Sequence, residues 1–323
     1  MAIKIYSFIF TMWILKMNYF SQRFIRGPRS LRWVIKAVLL PVLYLGQKAA
    51  PYLDALRVTP PRMTLVRATI CQHIYMPDML PYFKQLKITD VFWSHACVDQ
   101  TEIEGIRIHP FPLYPVRCQN LQGTDLKPLT ERRYLYSFIG AYQADLYLTP
   151  VRQWLFDWPE LTDALVVRRN EWHYEQQVYA EQVSGKPVST EYRQQHQQLS
   201  TDYEAVLGET VFCLCPSGSG PNSIRLWEAL GFGCVPVIMA DQLQLPGDPE
   251  LWASATLQVP ESEAAIRELP DILRSASLEQ FSSKAAEQLW QRYGPDDFIA
   301  DINNLFSLQS TKVLNTFSIV LMA

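Results

Sequence analysis

Glycine is scarce in this sequence, and charge is neither abundant nor strongly biased. The chain of 323 residues has 13 glycines, 19% charged residues and a formal net charge of -3, whereas 48% of its residues are hydrophobic. A collagen-like, low-complexity or largely disordered chain is therefore excluded. The slight negative charge argues against a general nucleic-acid-binding protein, which usually has a basic surface. We expect a globular protein with one large domain or two of ordinary size.

The sequence also lacks several motifs of metal and catalytic sites. Its six cysteines form no Cys-x-x-Cys pair and show no zinc-ligand spacing. This predicts free, buried thiols in a reducing compartment rather than a zinc centre. No lysine completes a Walker A loop, and no Gly-x-Ser-x-Gly nucleophile elbow is present, so neither motif accounts for a function.

The basic residues are concentrated at the N-terminus. Eight lysines and arginines precede the first acidic residue, Asp54, so residues 1–53 carry a charge of +8. The two apolar runs at residues 5–15 and 34–45 are too short or too interrupted to predict a membrane span, and no small-residue cleavage site follows them. We therefore expect no secretory signal. We expect a cytoplasmic protein whose helical basic segment, residues 1–60, makes a peripheral contact with the inner face of the cell membrane. The alternative is a helical layer that packs on the protein itself.

The rest of the chain alternates short apolar runs with amphipathic segments, which predicts an α/β fold. The predicted strands include residues 63–70, 90–94, 106–111, 134–139, 164–167, 210–215 and 235–240. The stretch 112–130 is rich in proline and polar residues and is the candidate linker. We predict an N-terminal domain over residues 61–130, a second domain over 131–307 and an apolar tail over 308–323. Because open parallel sheets bind ligands at the carboxyl ends of their strands, we expect the site there.

The segment 212–241 is the most informative part of the sequence. A buried strand runs into the loop PSGSGPN, and a helix is predicted directly after it. Gly218 and Gly220 allow backbone amides to approach a ligand, and the start of a helix favours a phosphate group. Arg225 adds a positive charge in the first turn. Glu228, on the same helix face, offers a carboxylate to two ribose hydroxyls. This order of groups predicts a nucleotide site.

Two other interpretations of this segment stay open. In the first, Ser223 only caps the helix, and the charged residues after it are solvated. In the second, the loop belongs to a dinucleotide-binding fingerprint. Gly218-x-Gly220-x-x-Ser223 approaches Gly-x-Gly-x-x-Gly, and Asp241 ends the next strand. The second interpretation would indicate an oxidoreductase that uses a nicotinamide or flavin dinucleotide.

The run CPSGSGPNSIRLWEALGFGCVPVIMAD resembles the signature of the exostosin-like glycosyltransferases, glycosyltransferase family 47. The signature combines CP-x-G, S-x-R-x-x-E-A and G-C-x-P-V. Upstream, YSFIG at 136–140 followed by Arg152 is similar to the family's F-x-G and R-x-x-L elements, and DVFWSH at 90–95 is similar to its first-domain strand that ends near a histidine. The resemblance covers residues 90–260. The signature residues present here are Cys215, Pro216, Gly218, Ser223, Arg225, Glu228, Ala229, Gly233, Cys234, Pro236 and Val237.

The resemblance implies a GT-B fold, in which two Rossmann-like domains face a central cleft, and a hexosyl- or pentosyltransferase activity. It implies a nucleotide-sugar donor, usually a UDP-sugar, on the C-terminal domain, and transfer with inversion. It also implies no bound metal or cofactor, in agreement with Asp296-Asp297, which lacks the spacer of a D-x-D pair. A glycan or lipid-linked glycan is the expected acceptor, in polysaccharide biosynthesis. The residues expected to bind the donor are Gly140, Arg152, Ser217, Gly218, Gly220, Asn222, Ser223, Arg225, Glu228 and Asp241.

An inverting transfer needs a base for the acceptor hydroxyl and a cation for the departing phosphate. Arg225 is expected to serve the phosphate. His95, at the end of a first-domain strand, is the first candidate base; Asp99 either orients it or is itself the base, and His73 is a further candidate. A structural role remains the alternative for each. Two other functions also stay open: a non-catalytic module that binds a nucleotide or glycan, and a scaffold that binds neither.

Overall fold

The computed structural model describes residues 6–8, 67–118, 121, 126–159, 161–169, 190–302 and 318–322. The chain divides into two compact units: Met1–Phe111 together with Asp301–Ala323, and Pro112–Ala300. Within the N-terminal basic segment, Tyr6–Phe8 is a strand where the sequence predicts helix. The rest of that segment, and with it the predicted membrane contact, lies outside the described residues. None of the helices in the described part of the chain is long and apolar enough to cross a membrane.

The described elements are numbered here in chain order. The strands are β1 (Tyr6–Phe8), β2 (Ala68–Cys71), β3 (Asp90–Trp93), β4 (Glu102–Ile103), β5 (Ile106–Pro110), β6 (Tyr134–Gly140), β7 (Ala164–Arg168), β8 (Thr210–Pro216), β9 (Val235–Met239), β10 (Leu257–Gln258) and β11 (Ser318–Met322). The α-helices are α1 (Leu80–Gln85), α2 (Val151–Phe156), α3 (Thr190–Gly208), α4 (Ile224–Gly231), α5 (Pro249–Ala255), α6 (Glu263–Ser275) and α7 (Ser283–Tyr293). Short 3-10 helices lie at Met76–Met79, Val116–Cys118, Leu129–Glu131 and Leu278–Gln280.

The first unit contains a sheet in the order β1-β11-β2-β3-β5-β4. Its neighbouring strands are parallel except β4, which is antiparallel to β5. Strands β2 and β3 are buried along their whole length. Burial on both faces explains why these segments are mainly apolar and do not alternate with polar residues. Helix α1 packs against this sheet through Leu80 and Phe83.

Asp90, the first residue of β3, is a buried carboxylate that ties neighbouring strands together. It accepts hydrogen bonds from Nε and Nη2 of Arg107 at 2.8 Å and from Oγ1 of Thr89 at 2.6 Å, and Nε2 of His109 lies 2.8 Å from its Oδ1. Burial alone would raise the pKa of this carboxyl, but the hydrogen bonds from His109, Arg107 and Thr89 outweigh it and hold the pKa well below its usual value. The network lies at the amino end of β3, whereas open parallel sheets bind ligands at the carboxyl ends of their strands.

The second unit contains a fully parallel sheet in the order β10-β9-β8-β6-β7. Strands β8 and β9 are completely buried, and α4 covers them through its apolar face. Beyond α4, the rings of Trp227, Trp252 and Tyr293 join α4, α5 and α7, with centroids 5.6 to 6.1 Å apart. Two α/β units, whose sheets are parallel apart from β4, confirm the predicted α/β fold class.

The extents of the two units differ from the domain boundaries predicted from the sequence. The predicted linker, residues 112–130, groups with the second unit, because Cys118 is buried in the same core as Trp227 and Leu230. The apolar tail groups with the first unit, because β11 pairs with both β1 and β2. Burial and strand pairing between residues far apart in sequence set these limits.

Candidate functional site

The loop that joins β8 to α4, residues 217–223, follows the carboxyl end of β8; we call it the glycine loop. The N–H of Ser217 donates to the carbonyl of Met239 at the end of β9, at 2.9 Å. The carbonyl of Gly218 accepts, also at 2.9 Å, from the N–H of Leu148 in the connection between β6 and α2. Ser223 has an extended backbone, and its side chain does not cap α4. The first N–H groups of a helix have no partner within the helix, so this end of α4 can receive an anion.

Arg152, in α2, is buried beside the glycine loop and is 6% exposed. Its Nε donates to the carbonyl of Ser217 at 2.7 Å, and its Nη1 donates to the carbonyl of Ala141 at 3.2 Å. Its guanidinium carbon lies 4.5 Å from the centroid of the Tyr147 ring. Burial and the neighbouring charge of Arg225 lower the pKa of Arg152 to about 9, so the group remains positively charged at neutral pH.

Arg225, in the first turn of α4, brings a second positive charge to the same place. Its Nε donates to the carbonyl of Ile139 at 3.1 Å, and its Nη2 donates to the same carbonyl. The guanidinium carbons of Arg225 and Arg152 lie 4.8 and 5.7 Å from the centroid of one ring, that of Phe138. Neither arginine forms an ion pair with a carboxylate of the described residues. Two cations bonded to neutral carbonyls make a strongly positive site at the ends of β6 and β8.

Two glycines allow the backbone to pass close to these guanidinium groups. A Cβ on Gly140 would lie 2.8 Å from Nη2 of Arg225 and 2.9 Å from Cζ of Phe138. A Cβ on Gly218 would lie 3.1 Å from Nη2 of Arg152. A side chain at either position would therefore displace a guanidinium group, and at Gly140 it would also press on the ring of Phe138.

A cluster of polar side chains holds the other side of the glycine loop. Glu261 accepts hydrogen bonds from the hydroxyls of Ser217 and Thr149, the latter at 2.9 Å. The N–H of Asp241 donates to Oε2 of Glu261, and the N–H of Glu261 donates to both carboxylate oxygens of Asp241, all at 3.1 Å. The exposed Asp241 is thereby fixed at the carboxyl edge of the sheet.

Asn222 and Gly220 shape the glycine loop from within. Oδ1 of Asn222 accepts a hydrogen bond at 2.9 Å from the indole N–H of Trp227, and both side chains are buried. The carbonyl of Gly220 accepts from the N–H of Gly218 at 2.9 Å. These contacts fix the turn into α4.

Glu228, one turn along α4 from Arg225, is 2% exposed. Its Oε2 accepts a hydrogen bond from the hydroxyl of Tyr203 at 3.0 Å. Burial raises the pKa of Glu228 to about 7, although the charges of Arg117 and Arg225 and the Tyr203 hydrogen bond act in the opposite direction. The sequence predicts a ribose ligand here; the structure shows a buried carboxyl that already has a protein partner.

The structure therefore gathers most of the predicted donor residues at one edge of the second sheet. Direct contacts join five of them: Gly140, Arg152, Ser217, Gly218 and Arg225. The glycine loop also contains Gly220, Asn222 and Ser223. Asp241 is connected to this loop through Glu261. Sequence reasoning missed Tyr203, Thr149 and Glu261. Only Glu261 had a signal, because it follows the apolar run 256–259, which the sequence also predicts to be a strand.

The three candidate bases lie in the first unit, near the carboxyl ends of its strands. His95 is 6% exposed, and burial, with His73 nearby, lowers its pKa to about 4. One ring nitrogen bonds the carbonyl of Gln72, and Nδ1 has no hydrogen-bond partner among the described residues. Nδ1 of the partly buried His73 accepts from the N–H of Tyr75 at 3.1 Å. Asp99 is exposed and has a positive φ of 63°.

Residues 84–276, more than half of the chain, match the family model described as the Exostosin GT47 domain. The chain belongs to this family. The exostosin resemblance predicted from the glycine-loop signature is thereby confirmed. The chain is 35% identical over 95 residues to Exostosin-1 of Drosophila melanogaster, a match that covers 28% of this chain and 12% of that protein.

Other relatives of this GT47 chain come from plants. It is 42% identical over 86 residues to the probable beta-1,4-xylosyltransferase IRX10 of Arabidopsis thaliana, which covers 25% of this chain and 20% of the relative. It is 38% identical over 86 residues to the probable glucuronoxylan glucuronosyltransferase IRX7 of the same plant, and this match covers 26% of this chain and 19% of the relative. The matches thus span a fifth or less of the length of these three relatives.

Two solved structures are similar to the GT47 chain at low sequence identity. The GtfA/B complex gives a TM-score of 0.37 at 14% identity and covers 74% of this chain and 49% of that chain. WaaG, a glycosyltransferase involved in lipopolysaccharide biosynthesis, gives a TM-score of 0.34 at 15% identity, and the match covers 86% of this chain and 71% of that chain.

Proposed function

We propose that the chain is an inverting glycosyltransferase that moves a hexosyl or pentosyl unit from a UDP-sugar to a glycan acceptor in polysaccharide biosynthesis, without a bound metal or cofactor. The membership in the GT47 family supports glycosyl transfer, and the names of the plant relatives point to polysaccharide substrates. The observation that carries the proposal is the pair Arg152 and Arg225, two cations that meet beside a helix N-terminus.

The positive site suits the diphosphate of a nucleotide sugar. In the reaction, the acceptor oxygen attacks the anomeric carbon, the bond from that carbon to the phosphate oxygen breaks, and the diphosphate leaves with the electron pair. Arg152, Arg225 and the first N–H groups of α4 would stabilise the developing negative charge. Ser217 and the glycines of the loop would approach the phosphates, and Glu228 and Asp241 would accept from ribose or sugar hydroxyls.

His95 is proposed as the base that takes the proton of the acceptor hydroxyl. A buried imidazole with a lowered pKa is neutral at pH 7, and its Nδ1 has no hydrogen-bond partner among the described residues. The corresponding nitrogen of His73 already accepts from Tyr75. Asp99 is exposed and stays the second candidate.

A nucleotide titration tests the proposal directly. We expect UDP to raise the melting temperature of the full chain more than GDP or NAD does, because only a matching ligand binds the native state selectively. UDP-sugars should then support transfer with inversion. A His95→Gln variant should keep UDP binding and lose turnover by roughly 10²- to 10⁴-fold.

Each other outcome of this titration would change the assignment. A response to NAD alone would indicate a dinucleotide enzyme, and no response to any nucleotide would indicate a scaffold. UDP binding without turnover of any UDP-sugar would indicate a non-catalytic binding module. Unchanged turnover in His95→Gln would remove His95 as the base and leave the donor site intact.

The basic N-terminal segment supports a second part of the proposal, namely a cytoplasmic enzyme that lies on the inner membrane face near a lipid-linked acceptor. Each basic residue near an anionic surface contributes about 1 kcal/mol. Replacing four arginines by glutamine should therefore lower partitioning onto anionic vesicles by roughly two to three orders of magnitude. Vesicle co-sedimentation measures the fraction of protein bound to the vesicles. The four residues to replace are Arg23, Arg26, Arg29 and Arg32.

A matched control carries the same charge change elsewhere. Glutamine at four exposed basic residues of α6 and α7 should leave vesicle binding nearly unchanged. Equal losses in both variants, or no binding by the wild type, would contradict the membrane proposal without touching the donor site. The control residues are Arg267, Arg274, Lys284 and Arg292.

A further inference from the structure

Tyr203 carries a hydroxyl group that the proposed transfer does not yet use. It lies on α3, 25 residues before Glu228, and its hydroxyl donates to Oε2 of Glu228 at 3.0 Å. The side chain is partly buried against the core under α4, and burial, together with the charge of Glu228, raises the pKa of the phenol well above its usual value. The phenol therefore stays protonated at neutral pH and acts only as a donor to the carboxylate.

The surroundings of Glu228 leave its carboxylate few orientations. Arg117, in the 3-10 helix Val116–Cys118, donates its backbone N–H to the Glu228 carboxylate, and its positive charge also acts on that group. From its own helix, Arg225 acts on it with a positive charge, and from α3 it accepts from the hydroxyl of Tyr203. The thiols of Cys118 and of Cys213, on β8, also interact with its charge. A carboxylate has about four acceptor positions. The hydroxyl of Tyr203 and the N–H of Arg117 fill two of them.

We infer that Tyr203 is a positioning residue for the ribose of the donor: its hydroxyl fixes the Glu228 carboxylate so that the remaining acceptor positions meet the ribose hydroxyls. This inference rests on the proposed function and deepens it, since it assigns the nucleoside end of the site. Diphosphate binding by Arg152 and Arg225 does not depend on Tyr203.

The inference gives ribose recognition a defined pH dependence. Glu228 has a raised pKa of about 7, so it is largely protonated at pH 6 and largely ionised at pH 8. The ionised form accepts hydrogen bonds at all its positions, so the preference for a ribose over a 2′-deoxyribose should rise as the pH increases through 7. The Tyr203 hydrogen bond lowers this pKa. Removal of this hydrogen bond should therefore move the midpoint of the pH-dependent ribose preference to higher pH.

A comparison of UDP with 2′-deoxy-UDP isolates the ribose, because both ligands carry the same diphosphate and base. With the full chain at pH 7.5, we expect UDP to bind about tenfold more tightly than 2′-deoxy-UDP. In Tyr203→Phe this preference should fall to about twofold, and its midpoint should shift to higher pH. Glu228→Gln should show a low preference at every pH between 6 and 8. Calorimetric titration measures each dissociation constant.

The controls distinguish a positioning role of Tyr203 from a general loss of structure and from failure of the proposed function. Tyr134→Phe, at the start of β6, makes the same chemical change away from the site and should keep the wild-type preference. An unchanged preference and midpoint in Tyr203→Phe would overturn the inference alone, as would an equal loss of affinity for both ligands. Absence of UDP binding in the wild type would overturn the proposed function and the inference with it.

Discussion

Replacing Arg225 by alanine should weaken UDP binding by about two orders of magnitude while the protein stays folded. Its guanidinium group is held by the carbonyl of Ile139 and lies against the ring of Phe138, so it is oriented before the ligand arrives. A preorganised, charge-assisted contact loses little entropy on binding. Calorimetric titration with UDP gives the affinity, and the melting temperature gives the stability.

The stability of the same variant distinguishes a binding residue from a structural one. Arg225 forms no ion pair with a carboxylate of the described residues; it lies beside a second cation, Arg152, and its charge also acts on the carboxyl of Glu228. Its removal relieves the repulsion from Arg152 and loses the attraction to Glu228, two effects of opposite sign, so the free energy of unfolding should change by less than about 1 kcal/mol. Arg225→Lys keeps the charge but not the fork of two donors, and should lose about tenfold in affinity.

Arg267 is a suitable control for this experiment. It is exposed on α6 and pairs within the helix with Glu263, so Arg267→Ala should change UDP affinity by less than about twofold. If Arg225→Ala binds UDP as well as the wild type does, the diphosphate does not bind at the glycine loop. If instead it unfolds, the arginine is structural, and the donor site needs another cation.

The local part of the site could be predicted from the sequence because it is contiguous. An apolar run predicts a buried strand, the glycine-rich turn predicts a close approach, and the spacing after it puts Arg225 in the first turn of a helix. Arg152 was found only through the family resemblance. Its burial depends on the connection from β6 to α2, which composition does not reveal.

Contacts between distant segments were beyond sequence reasoning for a physical reason. Tyr203 lies on a helix whose sequence is largely polar, so nothing in its pattern shows that one hydroxyl turns inward to Glu228. Glu261 and Thr149 are 112 residues apart and meet only because of the strand order of the sheet. The apolar composition of the tail does not by itself predict a strand, and pairing of β11 between β1 and β2 is a property of the whole sheet.

A methyl group on Gly140 should impair the site more than its size suggests. Its carbon would lie 2.8 Å from Nη2 of Arg225 and 2.9 Å from Cζ of Phe138, whose ring is buried at the end of β6. We expect Gly140→Ala to lower UDP affinity by about 100-fold, because the guanidinium must leave its position, and to cost about 1 to 3 kcal/mol of stability through overpacking.

Gly208→Ala is the matched control for a glycine-to-alanine change. Gly208 ends α3 and has no left-handed backbone, and a Cβ added to it would meet no atom within 4 Å. Alanine should therefore be neutral or slightly stabilising there, by up to about 1 kcal/mol, with UDP affinity unchanged. A loss of affinity in this control would show that the assay responds to any change in the second unit.

The double variant decides whether Gly140 acts through Arg225. If it does, Gly140→Ala should cost little additional affinity once Arg225 is alanine, because the displaced group is already absent. The two losses would then be far from additive, with a coupling of about 1 to 3 kcal/mol. Additive losses would instead mean that the methyl group acts through Phe138 and the end of β6. In that case the glycine shapes the aromatic floor on which both arginines lie, and Arg152 should be displaced as well.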